Sequence, residues 1–241
     1  MARIRNDLTI YHRHVNAWWD PSDPFFSPLR NLASIRHEYI RQIVDAVDGM
    51  DVLDIGCGGG YMMEPLAMAG GRVWGIDPAR GALIAARRRA RERGYRVQTA
   101  RACGERLPFP AACFDLVVCT DVLVHVASPR KVVCEVARVL RPGGLFFFSA
   151  INRTPLARLV MITLAEDLLR WIHRGTHDPR RFIRPDELEE MCLDAGLEIR
   201  EIRGIMPTSF SFGRGLTYRL SGSSRLIYLG CAWRGGLSGV A

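Results

Sequence analysis

The stretch DVLDIGCGGGY, residues 51–61, decides the fold. A short apolar run that contains Asp54 leads into a turn with four glycines. Glycine allows a sharp turn at positive φ and lets a ligand approach the backbone closely. The stretch therefore predicts a buried β-strand, a ligand-binding turn and the start of a helix.

The segments around this stretch alternate between strand-like and helix-like patterns. Period-two and buried apolar runs predict strands at 51–56, 72–77, 95–100, 114–121 and 144–151. Apolar stripes at helical spacing predict helices at 32–47, 61–69, 78–93 and 128–140. Strands separated by helices pair in parallel through right-handed crossovers, so the pattern predicts an α/β fold with a doubly wound sheet. Ligands of such sheets lie beyond the carboxyl ends of the strands.

Composition favours one globular domain in a reducing compartment. The 241 residues are 48% hydrophobic, and the seven cysteines include no C-x-x-C pair. The first 19 residues lack the apolar core of a signal peptide, and nowhere does an apolar run approach the roughly 20 residues of a spanning helix. We expect a cytoplasmic protein that is soluble or peripheral on the inner membrane surface.

The net charge of +8 comes almost entirely from arginines spread along the chain. The densest group, at 86–95, is interpreted as the solvated face of a helix rather than as a polyanion site. No nucleic-acid partner is therefore expected, and the substrate should be a small molecule.

The spacing of the glycines excludes two common ligands. A G-x-G-x-x-G dinucleotide motif would need glycine where Tyr61 or Met63 stands, and a phosphate-binding P-loop would need a lysine that is absent here. The remaining pattern is D-x-G-x-G-x-G from Asp54 to Gly60, followed about twenty residues later by Asp77, whose carboxylate could accept both hydroxyls of a ribose.

This pattern resembles motif I and the next acidic motif of the class I S-adenosylmethionine-dependent methyltransferases. Residues 103–119 look like the adenine-flanking loop and fourth strand of that superfamily, and residues 137–149 look like its helix, turn and fifth strand. The resemblance implies a Rossmann-like, mostly parallel seven-stranded sheet with S-adenosylmethionine as cofactor.

A closer resemblance covers almost the whole chain. Residues 17–40, 52–60 and 149–188 look like the ubiquinone-biosynthesis O-methyltransferase family, which methylates phenolic hydroxyls of polyprenylated catechol-like precursors. It implies one domain with an N-terminal helical cap (1–48), a cofactor-binding core (49–152), a helical lid (153–184) and a C-terminal helix with strands (185–241). It also implies a set of cofactor-binding residues: Arg36, Asp54, Gly56, Cys57, Gly58, Gly60, Asp77, Pro78, Cys103, Gly104, Glu105 and Thr120. A guanidinium at Arg36 can grip the methionine carboxylate in a bidentate pair.

The methyl transfer needs a base, because a phenol of pKa about 10 is mostly protonated at neutral pH. Asp121 and His125 follow the fourth strand and are four residues apart, so they share one face if that turn is helical. We expect these two residues to be catalytic.

The chain departs from its family in this turn. Family members usually carry E-x-x-E-H, which suits a divalent cation, whereas this chain has Asp121, Val124 and His125. Asp121 and His125 remain candidate ligands for a metal such as Mg²⁺. Our hypothesis is that His125 acts as the general base with support from Asp121, and that metal binds weakly or not at all.

The lid should lie over the acceptor. We assign Asn152, Trp171 and His177 to the acceptor side of the pocket and its lid. Apolar residues at helical spacing in 154–174, flanked by basic ones, suit a lipophilic acceptor, peripheral membrane attachment or an ordinary buried helix. Two other activities stay open on this scaffold: O-methylation of a secondary metabolite such as an aromatic polyketide, and N- or C-methylation of a small molecule. The sequence leaves the oligomeric state open.

Overall fold

The structure is a computed structural model that describes residues 6, 9, 11, 14–20, 23, 25–169, 171–211 and 215–235. The described strands form one eight-stranded sheet with the order β3-β2-β1-β4-β5-β8-β6-β7. The strands are β1 (Asp51–Ile55), β2 (Arg72–Ile76), β3 (Val97–Ala100), β4 (Phe114–Thr120), β5 (Leu140–Ile151), β6 (Leu197–Ser211), β7 (Gly215–Ser221) and β8 (Ile227–Arg234).

Three of the described α-helices, the second to the fourth along the chain, connect parallel strands, as the alternation predicts. The first precedes β1, and the last two lie between β5 and β6. The helices are α1 (Phe26–Ile43), α2 (Met63–Met68), α3 (Arg80–Arg93), α4 (Pro129–Val139), α5 (Pro155–Arg158) and α6 (Pro185–Asp194). Helix α4 begins where Ser128 caps it and Pro129 occupies its first turn, and α3 ends at Gly94, which adopts the left-handed conformation. These local signals place the helix ends within a few residues of the predicted ones.

The parallel half of the sheet positions the site. Strand β1 pairs in parallel with β2 on one side and with β4 on the other, so the chain changes direction across the sheet at β1 and β4. The doubly wound α/β class is confirmed. At such a switch point the loops after neighbouring strands separate and leave a crevice for a ligand.

The sheet has eight strands where seven were expected. Strands β6 and β7 form a long antiparallel hairpin, and β8 returns antiparallel between β5 and β6. The additional strand, β7, packs against α1. The alternation of polar and apolar residues in LTYRLS, residues 216–221, is only weak evidence for a strand. This edge strand becomes stable only through pairing with β6 and contact with α1.

Among the described residues, two clusters of buried side chains form the interior. The larger cluster fills both faces of the sheet, with Val52, Leu53 and Ile55 of β1 at its centre. A smaller cluster joins the N-terminal segment to α3 through Trp18, Phe26 and three alanines of α3 or its start, Ala79, Ala82 and Ala85. The second cluster fixes the N-terminal segment above the turn after β1.

The segment expected to form a helical lid, 153–184, differs in its winding from an α-helix. After the single turn of α5, residues Leu159–Leu168 form a π-helix. Its buried side chains are Met161, Ile162, Ala165 and Glu166, while Leu159 and Leu168 are exposed. Sequence periodicity could not predict this winding, because the wider turn changes which residues share a face. A ten-residue π-helix leaves an apolar edge of the lid on the surface.

Across the described ranges, no helix is both long enough and apolar enough to span a membrane.

Candidate active site

The turn after β1 is held against the end of β2. The backbone N–H groups of Gly56 and Cys57 both donate to the carbonyl of Ile76, at 2.8 and 3.0 Å. Gly58 has φ +53°, and a Cβ at that position would lie 2.6 Å from the indole ring of Trp18. A Cβ at position 56 would lie 2.2 Å from Cγ2 of Val122. The turn therefore needs glycine for its conformation and for the close approach of its neighbours.

The N-terminal segment covers this turn. Trp18 packs on Gly58 and Gly59, and the indole N–H of Trp19 donates to the carbonyl of Gly59 at 2.8 Å. The hydroxyl of Tyr61 donates to the carbonyl of Trp18. These contacts close one side of the crevice at the carboxyl end of β1.

Two acidic residues line the crevice at the ends of β1 and β2. Asp77 accepts hydrogen bonds from the N–H groups of Gly58 at 3.0 Å and Ala79 at 2.7 Å. Asp54 is buried, and this burial together with the nearby charge of Asp77 raises the pKa of Asp54 well above its usual range. The carboxylate of Asp77 is thus held at the position where ribose hydroxyls are expected to bind.

Arg36 reaches the same crevice from α1. Its side chain is 6% exposed, and its Nη2 lies 2.6 Å from Oδ1 of Asp121. Its Nε is buried and finds no hydrogen-bond acceptor among the described residues. A buried guanidinium with an unused donor beside the glycine turn suits an anionic ligand such as the carboxylate of S-adenosylmethionine.

Removing the Arg36 guanidinium should weaken cofactor binding strongly. We expect Arg36→Ala to raise the Kd for S-adenosylhomocysteine by at least about tenfold, because a charge-assisted hydrogen bond contributes about 1.5–3 kcal/mol. Arg36→Lys should recover only part of the loss, since an ammonium cannot make the bidentate contact. Titration calorimetry checks both variants.

Arg41→Ala is the matched control, because Arg41 lies on the same helix with a side chain that is 68% exposed. Its Kd should equal that of the wild type. An unchanged Kd in folded Arg36→Ala would show that the guanidinium does not hold the cofactor.

The residues expected near the adenine lie around the same edge of the sheet. Pro78 and Cys103 are exposed, whereas Gly104 is buried against Ile55 and Val132. Glu105 accepts a hydrogen bond from the backbone N–H of Ala127 at 3.0 Å. This bond joins the adenine-side loop to the segment after β4.

Residues 121–127 form a hydrogen-bonded turn rather than a helix, with the N–H of His125 donating to the carbonyl of Val122 at 2.8 Å. Thr120, the last residue of β4, is half-buried and pairs with Ser149 of β5. Asp121 has φ +60° and accepts from the hydroxyl of Ser149 at 3.2 Å as well as from Arg36. Within the described ranges, the carboxylate of Asp121 thus bonds to Arg36 and Ser149 rather than to the imidazole of His125.

The imidazole of His125 is oriented by Asn6 instead. The Asn6 amide nitrogen donates to the backbone carbonyl of His125 at 3.0 Å, so the amide oxygen faces the ring, where it lies 2.7 Å from Nδ1. An amide oxygen can only accept, so we assign the ring proton to Nδ1. The lone pair of the neutral ring is then on Nε2.

The surroundings keep His125 neutral. Burial lowers the pKa of His125 to about 3, and the neighbouring His177 and Arg181 act in the same direction against the opposing charge of Asp121. Two tyrosines share this environment. Burial raises the pKa of Tyr218 to about 12, and it raises the pKa of Tyr11 still further, with Asp121 facing both groups.

The three residues that the sequence assigned to the acceptor side and its lid, Asn152, Trp171 and His177, lie in different surroundings. The His177 ring stacks on the His125 ring with centroids 5.2 Å apart. Trp171 is half-buried just after the π-helix. Asn152 is buried and donates to the carbonyl of Ser224 at 2.9 Å, which ties the end of β5 to the loop before β8.

The donor set near His125 does not fit a divalent cation. One carboxylate, that of Asp121, is already paired with a guanidinium, and Val124 is buried where the family carries a glutamate. In the described part of the chain, no group of three or more His, Cys, Asp or Glu side chains could hold a metal ion. Mg²⁺ prefers several oxygen ligands, which this arrangement does not supply.

Several residues of the site had no signal in their spacing. Asn6, Trp18 and Glu166 act through contacts that span many residues of sequence: Asn6 with His125, Trp18 with the glycine turn, and Glu166 with His177. Tyr11 and Tyr218 were also missed. The adjacent tryptophans Trp18 and Trp19 are the sequence feature that could have suggested a contact between the N-terminal segment and the glycine turn.

The glycine turn after β1, the acidic residue after β2 and the buried arginine facing them form the arrangement expected of a class I S-adenosylmethionine-dependent methyltransferase, and the comparisons with known proteins show this class. Residues 53–148 match the family described as "Methyltransferase domain". A ubiquinone biosynthesis O-methyltransferase of Pseudomonas putida is 41% identical over 208 residues, covering 85% of this chain and 86% of that protein. One of Leptothrix cholodnii is 38% identical over 204 residues, covering 83% of this chain and 85% of that protein. The chain belongs to the ubiquinone biosynthesis O-methyltransferase family and is an S-adenosylmethionine-dependent O-methyltransferase.

A solved structure agrees on the fold. A methyltransferase of Thermotoga maritima, described as a possible histamine N-methyltransferase, superposes with a TM-score of 0.64 at 17% identity, covering 93% of this chain and 98% of that one. At this identity the likeness concerns the fold alone.

Proposed function

We propose that this protein methylates a phenolic hydroxyl of a lipophilic aromatic acceptor, such as a polyprenylated catechol, with His125 as the general base. The observation that carries the proposal is the pair of hydrogen bonds between Asn6 and His125, which leaves the lone pair of the imidazole on Nε2. The names of the curated relatives, which are ubiquinone biosynthesis O-methyltransferases, support the acceptor class.

The cofactor would be held at the carboxyl ends of β1, β2 and β4. We assign Arg36 to the carboxylate of S-adenosylmethionine and Asp77 to its ribose. The turn at 56–60, together with Asp54, would line one face of the cofactor site. The borders of the cofactor site would be formed by Pro78, Cys103, Gly104, Glu105 and Thr120. When bound, S-adenosylmethionine supplies an electrophilic methyl group. The protein residues hold and orient the reactants, which is the larger part of what such a transfer requires.

The proton of the acceptor would pass to His125. As the phenolic oxygen forms its bond to the methyl carbon, the bond from that carbon to the sulfonium sulfur would break and leave S-adenosylhomocysteine. Nε2 would take the proton from the phenolic oxygen, and Asn6 would hold the resulting imidazole cation. A general base contributes typically 10²–10⁴-fold to the rate, and the low pKa of His125 places its contribution toward the lower end of this range. Asp121 faces His125 and offsets part of the charge that develops on the ring.

The residues around the crevice suit an aromatic acceptor. Tyr11 packs against Trp18 and Phe25, with ring centroids 5.8 and 6.1 Å apart. Phe25 also meets His173 of the lid edge-on at 5.2 Å. Aromatic side chains from the N-terminal segment and the lid thus meet on the same side of the site, and such surfaces favour rings and apolar tails.

The proposal is tested with labelled S-adenosylmethionine and three acceptor groups: prenylated catechols, plain catechols, and flavonoid or chromone phenols. We expect the prenylated catechols to have the highest kcat/KM. Preference for flavonoid phenols would assign the protein to secondary metabolism, and transfer to amines alone would replace the phenol with an N-methylation substrate. Tight cofactor binding without transfer to any phenol would contradict the proposal.

We also propose that the lid touches a membrane surface, where a polyprenylated acceptor would reside. Three leucines of the lid are 45% to 69% exposed: Leu159, Leu168 and Leu169. Exposed apolar side chains beside basic ones, here Arg158 and Arg174, are typical of interfacial segments.

Replacing two of these leucines should weaken vesicle binding. We expect the double variant Leu168→Ser, Leu169→Ser to lower the fraction bound to vesicles with anionic lipids severalfold, because each buried leucine contributes up to about 1.5–3 kcal/mol. Leu193→Ser is the matched control, since Leu193 is 67% exposed on α6 and lies outside the lid. Co-sedimentation measures all three proteins, and equal binding would contradict a membrane contact through the lid.

A further inference from the structure

Glu166 is a fully buried carboxylate in the π-helix of the lid. Its Oε2 accepts from the backbone N–H of Gly175 at 2.9 Å, and its Oε1 accepts from the backbone N–H of His177 at 2.9 Å. Oε1 also lies 2.7 Å from Nδ1 of His177. A buried carboxylate is tolerated only when such bonds satisfy it, so these contacts define the geometry of residues 175–177.

The ring of His177 is fixed by this carboxylate. Because Glu166 accepts, Nδ1 of His177 carries a proton, and the orientation of the imidazole plane follows from that bond. Phe182 contacts the same ring near its edge, with centroids 6.4 Å apart and planes at 67°. His177 is 8% exposed, so the ring has little room to turn.

The fixed ring lies against His125. The two imidazole planes differ by 29°, with centroids 5.2 Å apart. Asn6 contacts His125 from the N-terminal segment, whereas His177 contacts it from the lid. The ring of His125 is therefore held both at its Nδ1 edge and on one face.

We infer that Glu166 and His177 form a positioning pair, in which Glu166 fixes the ring of His177 and His177 holds the ring of His125 in the orientation for proton transfer. The inference rests on the proposed function, because it concerns the residue assigned there as the base. It gives the lid a part in the reaction besides covering the acceptor. A small displacement of a reacting group can cost about 10²-fold in rate, so a ring that holds the base matters to kcat.

The test compares His177→Gln and Glu166→Gln in the whole 241-residue chain. His177→Gln keeps an N–H donor near Glu166 but removes the stacked ring. Glu166→Gln is nearly isosteric but replaces one of the two acceptor oxygens with an NH2 donor, which would face N–H donors. We expect each to lower kcat about tenfold or more, with KM for the acceptor and Kd for S-adenosylhomocysteine changed less than about threefold. Glu189→Ala is the control, because Glu189 is exposed on α6 and lies outside the contacts of Glu166 and His177, and its kcat should stay at the wild-type value.

A double variant separates positioning from a general effect on folding. In a His125→Ala background, His177→Gln should cause no further loss of kcat, because the ring it holds is gone. An equal loss in both backgrounds, or a rise in KM with kcat unchanged, would overturn the inference. If His177→Gln does not fold, Glu166→Gln in the same two backgrounds gives the same comparison.

Failure of the positioning pair is distinguishable from failure of the proposed function. Wild-type kcat in His125→Ala alone would remove the base assignment of the proposed function. A large loss in His125→Ala together with additive effects of His177→Gln would remove only the positioning pair.

Discussion

His125→Ala should lower kcat at least about a hundredfold while leaving the Kd for S-adenosylhomocysteine unchanged. In the proposed reaction the methyl-accepting oxygen loses the group that takes its proton, whereas the contacts assigned to the cofactor lie on Arg36, Asp77 and the glycine turn. Steady-state kinetics with the best acceptor and titration calorimetry with S-adenosylhomocysteine measure the two effects separately.

Asn6→Ala should have a smaller effect on kcat than His125→Ala. It keeps the imidazole but removes the acceptor that places the proton on Nδ1, so kcat should fall by less than in His125→Ala. Wild-type kcat in a folded His125→Ala protein would assign proton removal to another group.

The buried environment of His125 predicts how kcat/KM behaves at acid pH. Burial and His177 lower the pKa of His125 to about 3, so the neutral ring that accepts a proton is present well below pH 6. As the pH falls, kcat/KM should therefore show no decline near 6.5, the usual pKa of histidine, that is due to His125. A decline centred near 6.5 that disappears in His125→Ala would contradict the buried, neutral state described here.

Gly58→Ala should abolish measurable cofactor binding. The backbone at Gly58 has φ +53°, which costs an L-residue about 1–2 kcal/mol, and the added Cβ would lie 2.6 Å from the Trp18 ring. Either the turn or the N-terminal segment must shift, and Asp77 then loses its bond from the Gly58 N–H. Calorimetry with S-adenosylhomocysteine and a thermal unfolding curve separate lost binding from lost folding.

Gly94→Ala is the matched control for this substitution. Gly94 ends α3 with φ +74°, and a Cβ added there would meet no described atom within 4 Å. Gly94→Ala should lose a comparable amount of stability through backbone strain, and its Kd for S-adenosylhomocysteine should equal that of the wild type. If both variants bound the cofactor equally, the glycine turn would not be the cofactor cradle.

The parallel half of the fold was predictable because each of its elements carries a local signal. The runs at β1, β2 and β4 are short and apolar, Ser128 and Pro129 begin α4, and the glycine turn follows β1 directly. The hairpin of β6 and β7 was not predicted as such, since its pairing depends on partners distant in sequence. The π-helix at Leu159–Leu168 was missed because the apolar residues were compared with the α-helical period, whereas the wider turn changes which residues share a face.

The candidate site was also predictable only in part: the residues at strand ends were predictable, and the contacts between distant segments were not. Asp77, Asp121 and the glycines follow strand ends, so strand order alone brings them together at one edge of the sheet. The partner of Asp121 was not predictable, because Arg36 reaches it from a helix 85 residues earlier in the chain. The contacts of Asn6 and Glu166 likewise depend on how the N-terminal segment and the lid pack over the sheet.

The proposal that a protein base rather than a metal ion activates the acceptor is tested most directly by the transfer of a labelled methyl group to a prenylated catechol by the wild-type protein, measured after chelation and again with added Mg²⁺. We expect the same kcat in both conditions, because we assign proton removal to His125 and the donors around it do not suit a divalent cation. Turnover that vanishes on chelation and returns with Mg²⁺ would contradict the assignment of the base.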